Sequence, residues 1–163
     1  MLVLISLCTG VLGLKPDTSK FSPVQPAVAN SNEKAVDYYF FVQNEVTFAQ
    51  GDSLVVTFPK EFLNIEMQAS SCQINNLVQS CSQISSQSIL ISVQNNFRNF
   101  QQLEVIIPSI SNPSYPTSTG YFELELLRGA QVLDSNYALG VVAIGQSVVS
   151  TQASLEVTSS TAG

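Results

Sequence analysis

The chain has 163 residues, of which 45% are hydrophobic and only 11% are charged. Its net charge of −6 and its six Lys and Arg residues argue against nucleic-acid binding, because a phosphate backbone would be repelled. The absence of histidine excludes Ser-His-Asp and Cys-His triads and removes the commonest metal ligand. The length fits one domain with short appendages, and a surface rich in Ser, Thr, Gln and Asn favours strands over exposed helices.

An apolar leader opens the chain, with LVLISL followed by small residues at Gly10 and Gly13. This pattern predicts a signal peptide over residues 1–14, although no Lys or Arg follows Met1. The alternative is a core strand that belongs to an upstream module. Cleavage would remove Cys8 and leave an even pair of cysteines in a secreted or surface protein.

Short β-type segments, separated by Gly, Pro and Asn, follow the leader. In chain order these segments are 21–28 at an edge, the aromatic segment 35–46, then 53–58, a hairpin within 65–84, and 88–93, 103–107, 121–127 and 131–134. No segment has a helical period over three turns, so we predict an all-β fold. The spacing is typical of an Ig-like antiparallel β-sandwich of about seven to eight strands over residues 15–140.

Period-two alternation in four of these segments predicts the core. The predicted core residues are Leu54, Val56, Phe58, Ile89, Ile91, Val105, Ile107, Phe122, Leu124 and Leu126. The same alternation places Glu123 and Glu125 on the solvent side of their strand.

Two cysteines, Cys72 and Cys81, flank the turn-prone pair Asn75-Asn76. A hairpin at this turn would bring the cysteines face to face, within reach of a disulfide bond. Two free buried thiols are the alternative. A metal site is a weaker rival, because two thiolates without histidine or a third cysteine do not complete a tetrahedral set. We therefore predict a disulfide between Cys72 and Cys81, no metal site and no cofactor.

The order of several short motifs resembles a known family. The motifs are Tyr38-Tyr39-Phe40-Phe41, Gly51-Asp52, Leu54-Val55-Val56-Thr57-Phe58-Pro59, the cysteine pair, Ile110-Ser111-Asn112-Pro113 and Thr119-Gly120-Tyr121-Phe122. This order resembles the Ig-like sandwich modules repeated in large secreted and surface proteins of ciliated protists. The resemblance covers residues 21–135 and implies an extracellular, non-catalytic scaffold without catalytic residues.

The end of the chain, residues 141–163, is predicted to be a linker or the start of a following module. Within it, residues 153–163 (ASLEVTSSTAG) resemble the opening strand of a further module. A Ser/Thr-rich linker is the alternative.

Two sets of acidic residues are candidates for a catalytic site or a calcium site. Glu123 and Glu125 are the only candidates for the acid pair of a glycoside hydrolase, but a solvated strand face accounts for both. Asp37, Asp52 and Asp134 lie near predicted strand ends, where calcium could bind. No calcium-loop string is present, so ordinary turn aspartates are favoured, and we predict no enzyme and no metal.

The expected function is therefore a non-catalytic structural or adhesive module in a tandem array. Its partners would be other extracellular or surface proteins, or neighbouring modules of the same chain. The alternative is a carbohydrate- or ligand-binding β-sandwich domain. Tyr115, Tyr121 and Tyr137 could stack on sugars in that case, although the chain has no Trp. The sequence does not identify ligand-binding residues.

Overall fold

The computed structural model describes residues 13–17, 19–20, 22–67 and 69–146. These residues form thirteen strands and no helix. The strands are β1 (Lys15–Pro16), β2 (Val24–Gln25), β3 (Val28–Asn30), β4 (Val36–Gln43), β5 (Ser53–Thr57), β6 (Ser71–Ile74), β7 (Leu77–Gln83), β8 (Ser88–Ser92), β9 (Gln102–Ile110), β10 (Thr117–Ser118), β11 (Glu123–Arg128), β12 (Gln131–Asn136) and β13 (Ala143–Gly145). The predicted all-β fold is confirmed. Over these described residues no helix is long and apolar enough to span a membrane.

Ten of the strands form one curled sheet in the order β1-β4-β9-β6-β7-β8-β5-β11-β12, with β2 also paired to β4. Every pairing in this sheet is antiparallel. The two ends of the sheet meet, because the amide of Leu14 donates to the carbonyl of Ser135 at 3.2 Å. The side-chain amide of Asn136 also donates to the carbonyl of Leu14. The sheet is therefore nearly a barrel, with the apolar core inside.

A second sheet of three short strands, in the order β10-β13-β3, packs on the same core. Its β13 pairs with β3 in parallel. Ala29 and Ile144 from this sheet, together with Val142 just before β13, are buried in the main hydrophobic cluster. β13 lies in the segment 141–163, which the sequence predicted to be a linker or the start of a following module. The predicted signal peptide and the 153–163 tail fall outside the described residues, apart from Gly13 and Leu14 at the end of the 1–14 segment.

All ten residues predicted for the core are buried, with at most 1% of each exposed. An aromatic cluster joins the two halves of the curled sheet through their centre. Its members are Tyr38, Phe40, Phe58, Phe62 and Phe122, whose neighbouring ring centroids lie 5.2–6.1 Å apart. Most of these contacts are edge-to-face, an arrangement favoured by the ring quadrupoles. The cluster packs β4 against the residues that follow β5 and against the residue that precedes β11.

The β6–β7 hairpin connects the two halves of the sheet, because β6 pairs with β9 and β7 pairs with β8. Asn75 and Asn76 form its two-residue turn with φ angles of 50° and 63°, as a type I′ turn requires. A disulfide bond joins Cys72 to Cys81 across a Cα–Cα distance of 5.8 Å. The sequence predicted that the two cysteines would lie directly opposite each other on the paired strands, and this register was wrong. The tight turn places Gln79 opposite Cys72, so the bond runs diagonally across the hairpin.

Candidate functional site

A buried polar network lies at the end of the fold where β4 begins. The Tyr38 hydroxyl donates to Asn112 Oδ1 at 2.7 Å, and Asn112 Nδ2 donates to the Asn30 carbonyl at 2.9 Å. The amide of Asn112 donates to the carbonyl of Glu33 at 2.9 Å. Burial raises the pKa of Tyr38, with a smaller contribution from the charge of Glu33, so the hydroxyl keeps the proton that it donates. The network holds the loop of residues 31–35 against the loop of residues 111–116, and we call this the Asn112 end.

The larger of two grooves at the Asn112 end has a volume of about 450 Å³ and lies between β3 and β4. We call it the β3–β4 groove. It is lined by Gln25, Pro26, Val28, Ala29, Asn30, Glu33, Val36, Asp37 and Tyr39. Glu33 Oε2 accepts from the amide of Asn30 at 3.3 Å, and Asp37 Oδ1 accepts from the amide of Ser109 at 3.0 Å. Both carboxylates therefore also accept hydrogen bonds from backbone amides close to the groove.

The second groove, of about 180 Å³, lies on the other side of the 31–35 loop. It is lined by Lys34, Glu61, Phe62, Leu63, Asn64, Glu66, Ser111, Asn112, Pro113, Ser114 and Tyr115, and we call it the Ser111 groove. Glu61 Oε2 accepts from the amide of Gly120 at 2.9 Å, which ties this groove to the chain before β11. Ser111 Oγ is buried without a hydrogen-bond partner among the described residues. Leu63 and Tyr115, in contrast, are largely exposed.

The three aspartates considered for calcium each have separate local partners. Arg128 donates to both oxygens of Asp52, from Nε at 2.8 Å and from Nη2 at 2.9 Å, and this hydrogen bonding lowers the pKa of Asp52. Burial raises the pKa of Asp134, partly offset by bonds from the amides of Glu45 and Ser135. The described residues contain no group of three or more acidic, Cys or His side chains that could hold a metal ion.

The two glutamates considered for acid catalysis lie on the outer face of β11. Both are half-buried and alternate with the buried Phe122, Leu124 and Leu126. The Tyr137 hydroxyl donates to Glu125 Oε1 at 2.7 Å, and this bond raises the pKa of Tyr137. Glu125 is thus a hydrogen-bond acceptor on the sheet surface.

Of the three tyrosines proposed to stack on sugars, only Tyr115 lines either of the grooves described above. Tyr121 and Tyr137 are 59% and 53% exposed at other positions. The sequence interpretation missed Ser111 as a candidate site residue. Ser111 belongs to the Ile110-Ser111-Asn112-Pro113 motif, which marked a turn, but no sequence signal shows which hydroxyl lacks a partner after folding.

Comparison with known proteins identifies no relative. No family model, no curated protein and no solved structure matches this chain.

Proposed function

We propose that the chain is a non-catalytic structural or adhesive module of a secreted or cell-surface protein. The observation that carries the proposal is the disulfide bond in the middle of the sheet. Cys72 is fully buried and Cys81 is 5% exposed, and both belong to the main hydrophobic cluster. Structural disulfides persist in oxidising compartments and are rare in the cytosol. The bond therefore supports an extracytoplasmic location.

The placement of the two ends of the described fold supports a linear array. Lys15 pairs with Gln43 at the end of β4, whereas the carbonyl of Gly145 accepts from the amide of Ser31, before β4 begins. The strand has 8 residues, and at about 3.3 Å per residue the two places are separated by roughly 25 Å. Attachment points at opposite ends of a module are compatible with a linear array in which each module contacts its neighbours.

The outer face of the sheet supports contact with other proteins. Ser71, Ser80, Ser92 and Ser53 are direct cross-strand neighbours on β6, β7, β8 and β5. The first three are exposed, and Ser53 is half-buried. Protein interfaces are depleted in charged residues at their centres, because buried ions must lose water. A row of neutral hydroxyls avoids that cost, which makes this face compatible with contact to other surface proteins or neighbouring modules, although serine is not among the residues that interfaces enrich.

The experiment that tests this proposal is the expression of the full chain with its own leader in a secretory host. The protein recovered from the medium is alkylated with and without reductant, and its intact mass is measured. We expect no alkylated cysteine without reductant and two after reduction, since cleavage of the leader removes Cys8. Recovery only from the cytosol, or two alkylated cysteines without reductant, would contradict the proposal.

A carbohydrate-binding domain is the second candidate function. The observation that favours it is the Ser111 groove, where the exposed ring of Tyr115 lies beside the polar side chains of Lys34 and Asn64. Binding sites of this kind place a few polar groups beside an aromatic surface.

A further inference from the structure

Phe100 is an exposed aromatic residue that is held in a strained backbone conformation beyond the end of β4. It is 64% exposed and its φ angle is 57°. A bulky residue at a positive φ costs free energy and persists only where the surrounding structure enforces it. The buried Asn44 does so, because its carbonyl accepts from the amide of Phe100 at 2.7 Å and its Oδ1 accepts from the amide of Gln101 at 2.9 Å. We call residues 98–101 the Phe100 loop.

The Phe100 loop also carries a positive charge that is open to a partner. Arg98 is exposed, and it forms no ion pair within the part of the chain that the structure describes. Asn44 Nδ2 donates to the carbonyl of Arg98 at 2.7 Å, so the same buried side chain holds both ends of this short segment. Aromatic residues and arginine are enriched at protein interfaces, and Arg is one of the residue types that dominate their binding energy. The loop therefore presents two interface residues on a rigid support.

The β3–β4 groove has the complementary chemistry at the opposite end of β4. Pro26, Val28 and Val36 give it apolar walls, and Val28 is 70% exposed at its surface. Glu33 and Asp37 add two exposed carboxylates, and no Lys or Arg is among the residues that line the groove. Its volume of about 450 Å³ lies within the roughly 300–1,000 Å³ of sites for small organic molecules, so it has room for a phenyl ring. An aromatic side chain accompanied by a positive charge is therefore the occupant that this groove fits.

We propose that the β3–β4 groove receives Phe100 of a second copy of this chain, with Arg98 of that copy facing Glu33 and Asp37. The groove lies where β4 begins, and the Phe100 loop lies where β4 ends, since Gln43 Nε2 donates to the carbonyl of Phe100. β4 has 8 residues, which separates the two sites by roughly 25 Å. Each copy can therefore offer its loop to one neighbour and its groove to the other, and such a head-to-tail contact repeats without closing. This inference rests on the proposed structural module and identifies its neighbour as a module of the same kind.

The test mixes two variants of the full chain, each of which lacks one side of the contact. Phe100→Asn removes the ring and suits the backbone, because Asn adopts a positive φ readily. Val28→Arg fills the exposed groove and repels Arg98 of a neighbour. In sedimentation equilibrium, neither variant alone should associate, and their equimolar mixture should form a dimer and nothing larger. The wild type should instead grow beyond the dimer as its concentration rises. Linked modules meet at an effective concentration of about 1 mM, so the measurements extend to that concentration.

Isotope labelling and two further variants locate the contact. With ¹⁵N on the Phe100→Asn variant of the mixture, amide shifts should be confined to residues 25–39. With ¹⁵N on the other variant, they should be confined to residues 98–101. Arg98→Gln should weaken self-association about two- to fivefold, and added salt should reduce this loss, as for an exposed ion pair. Tyr121→Asn is the matched control and should associate like the wild type, since Tyr121 is 59% exposed but lines neither groove.

The outcomes that would overturn the inference are specific. They are a mixture that remains monomeric up to about 1 mM, shifts at other residues, and a wild type that stops at a closed dimer. The Phe100→Asn variant should also unfold at the wild-type temperature or higher, and a lower temperature would assign the ring to the fold and contradict the proposed contact. The proposed structural module keeps its own test by alkylation. A failure of this contact is therefore distinguishable from a failure of the module.

Discussion

Reduction of the bond between Cys72 and Cys81 should lower the free energy of unfolding by about 2–3 kcal/mol. The two cysteines are separated by 9 residues in sequence. For a closed loop of this size the chain-entropy relation gives about 2.6 kcal/mol at 25 °C. The value is set mainly by the reduced unfolded chain, which gains conformational freedom that the oxidised chain lacks.

Two features of the hairpin change this magnitude in opposite directions. If the type I′ turn at Asn75-Asn76 keeps part of its structure in the reduced unfolded chain, it restricts that chain and lowers the difference in stability. Replacement of both cysteines by Ala removes two buried sulfur atoms and leaves a cavity, which adds to the loss. The oxidised wild type should therefore be the most stable form, the reduced wild type less stable, and the Cys72→Ala/Cys81→Ala variant the least stable.

The assay is urea unfolding of the three forms, with alkylation to confirm the redox state of each. Circular dichroism at a strand wavelength reports the transition, and the m-value shows whether the unfolded state has expanded. Coincident midpoints for the oxidised and reduced wild type would refute the reasoning. A double Ala variant more stable than the reduced protein would show that the cysteines do not pack in the core as described.

Three further predictions concern single residues. Tyr38→Phe should lower the free energy of unfolding by about 1–2 kcal/mol in urea unfolding, because it leaves the buried Asn112 Oδ1 without its donor; no change would mean that water replaces the hydroxyl. The pKa of Asp52 is lowered in the fold by Arg128, so its contribution to stability is present above the unfolded carboxyl pKa and is lost as the pH falls through the folded pKa. Asp52→Asn should therefore flatten the acid side of the stability profile measured below about pH 4, and an unchanged slope would contradict the assigned ion pair. Glu123→Gln should change stability by no more than about 0.5 kcal/mol in the same urea assay, since this residue lies on the outer face of β11; a larger loss would mean that the side chain has a structural partner.

The local part of the fold could be predicted from the sequence because strand alternation is a local signal. In the segment 121–127, the alternation of Phe122, Leu124 and Leu126 with two glutamates identifies both the strand and its buried face. The same holds for Leu54 and Val56 in β5. For these residues, the neighbouring sequence alone identifies which face of the strand is buried.

The non-local part could not be predicted in the same way. β3, β10 and β13 have two or three residues each, too few for an alternation pattern. The parallel pairing of β3 with β13 joins residues more than a hundred positions apart, and only the folded core decides it. The disulfide between Cys72 and Cys81 was predicted, but its diagonal register was missed for a related reason. Its register depends on whether Asn75-Asn76 form a two-residue turn, and the cysteine spacing alone also allows a longer loop.

The candidate site depends on this non-local part, which explains why the sequence did not reveal it. The side chain of Asn112 joins Tyr38 of the core to the carbonyl of Asn30, and its backbone amide donates to the carbonyl of Glu33, so this one residue stabilises the fold and fixes the loop between the two grooves. A binding site needs such support, because a loose loop would have to be ordered when the ligand binds. Ser111 is the preceding residue in the chain, and its hydroxyl contributes no bond to this network. The bonds of Asn112 that the fold requires therefore also supply the rigid support that a binding site at this end of the molecule would need.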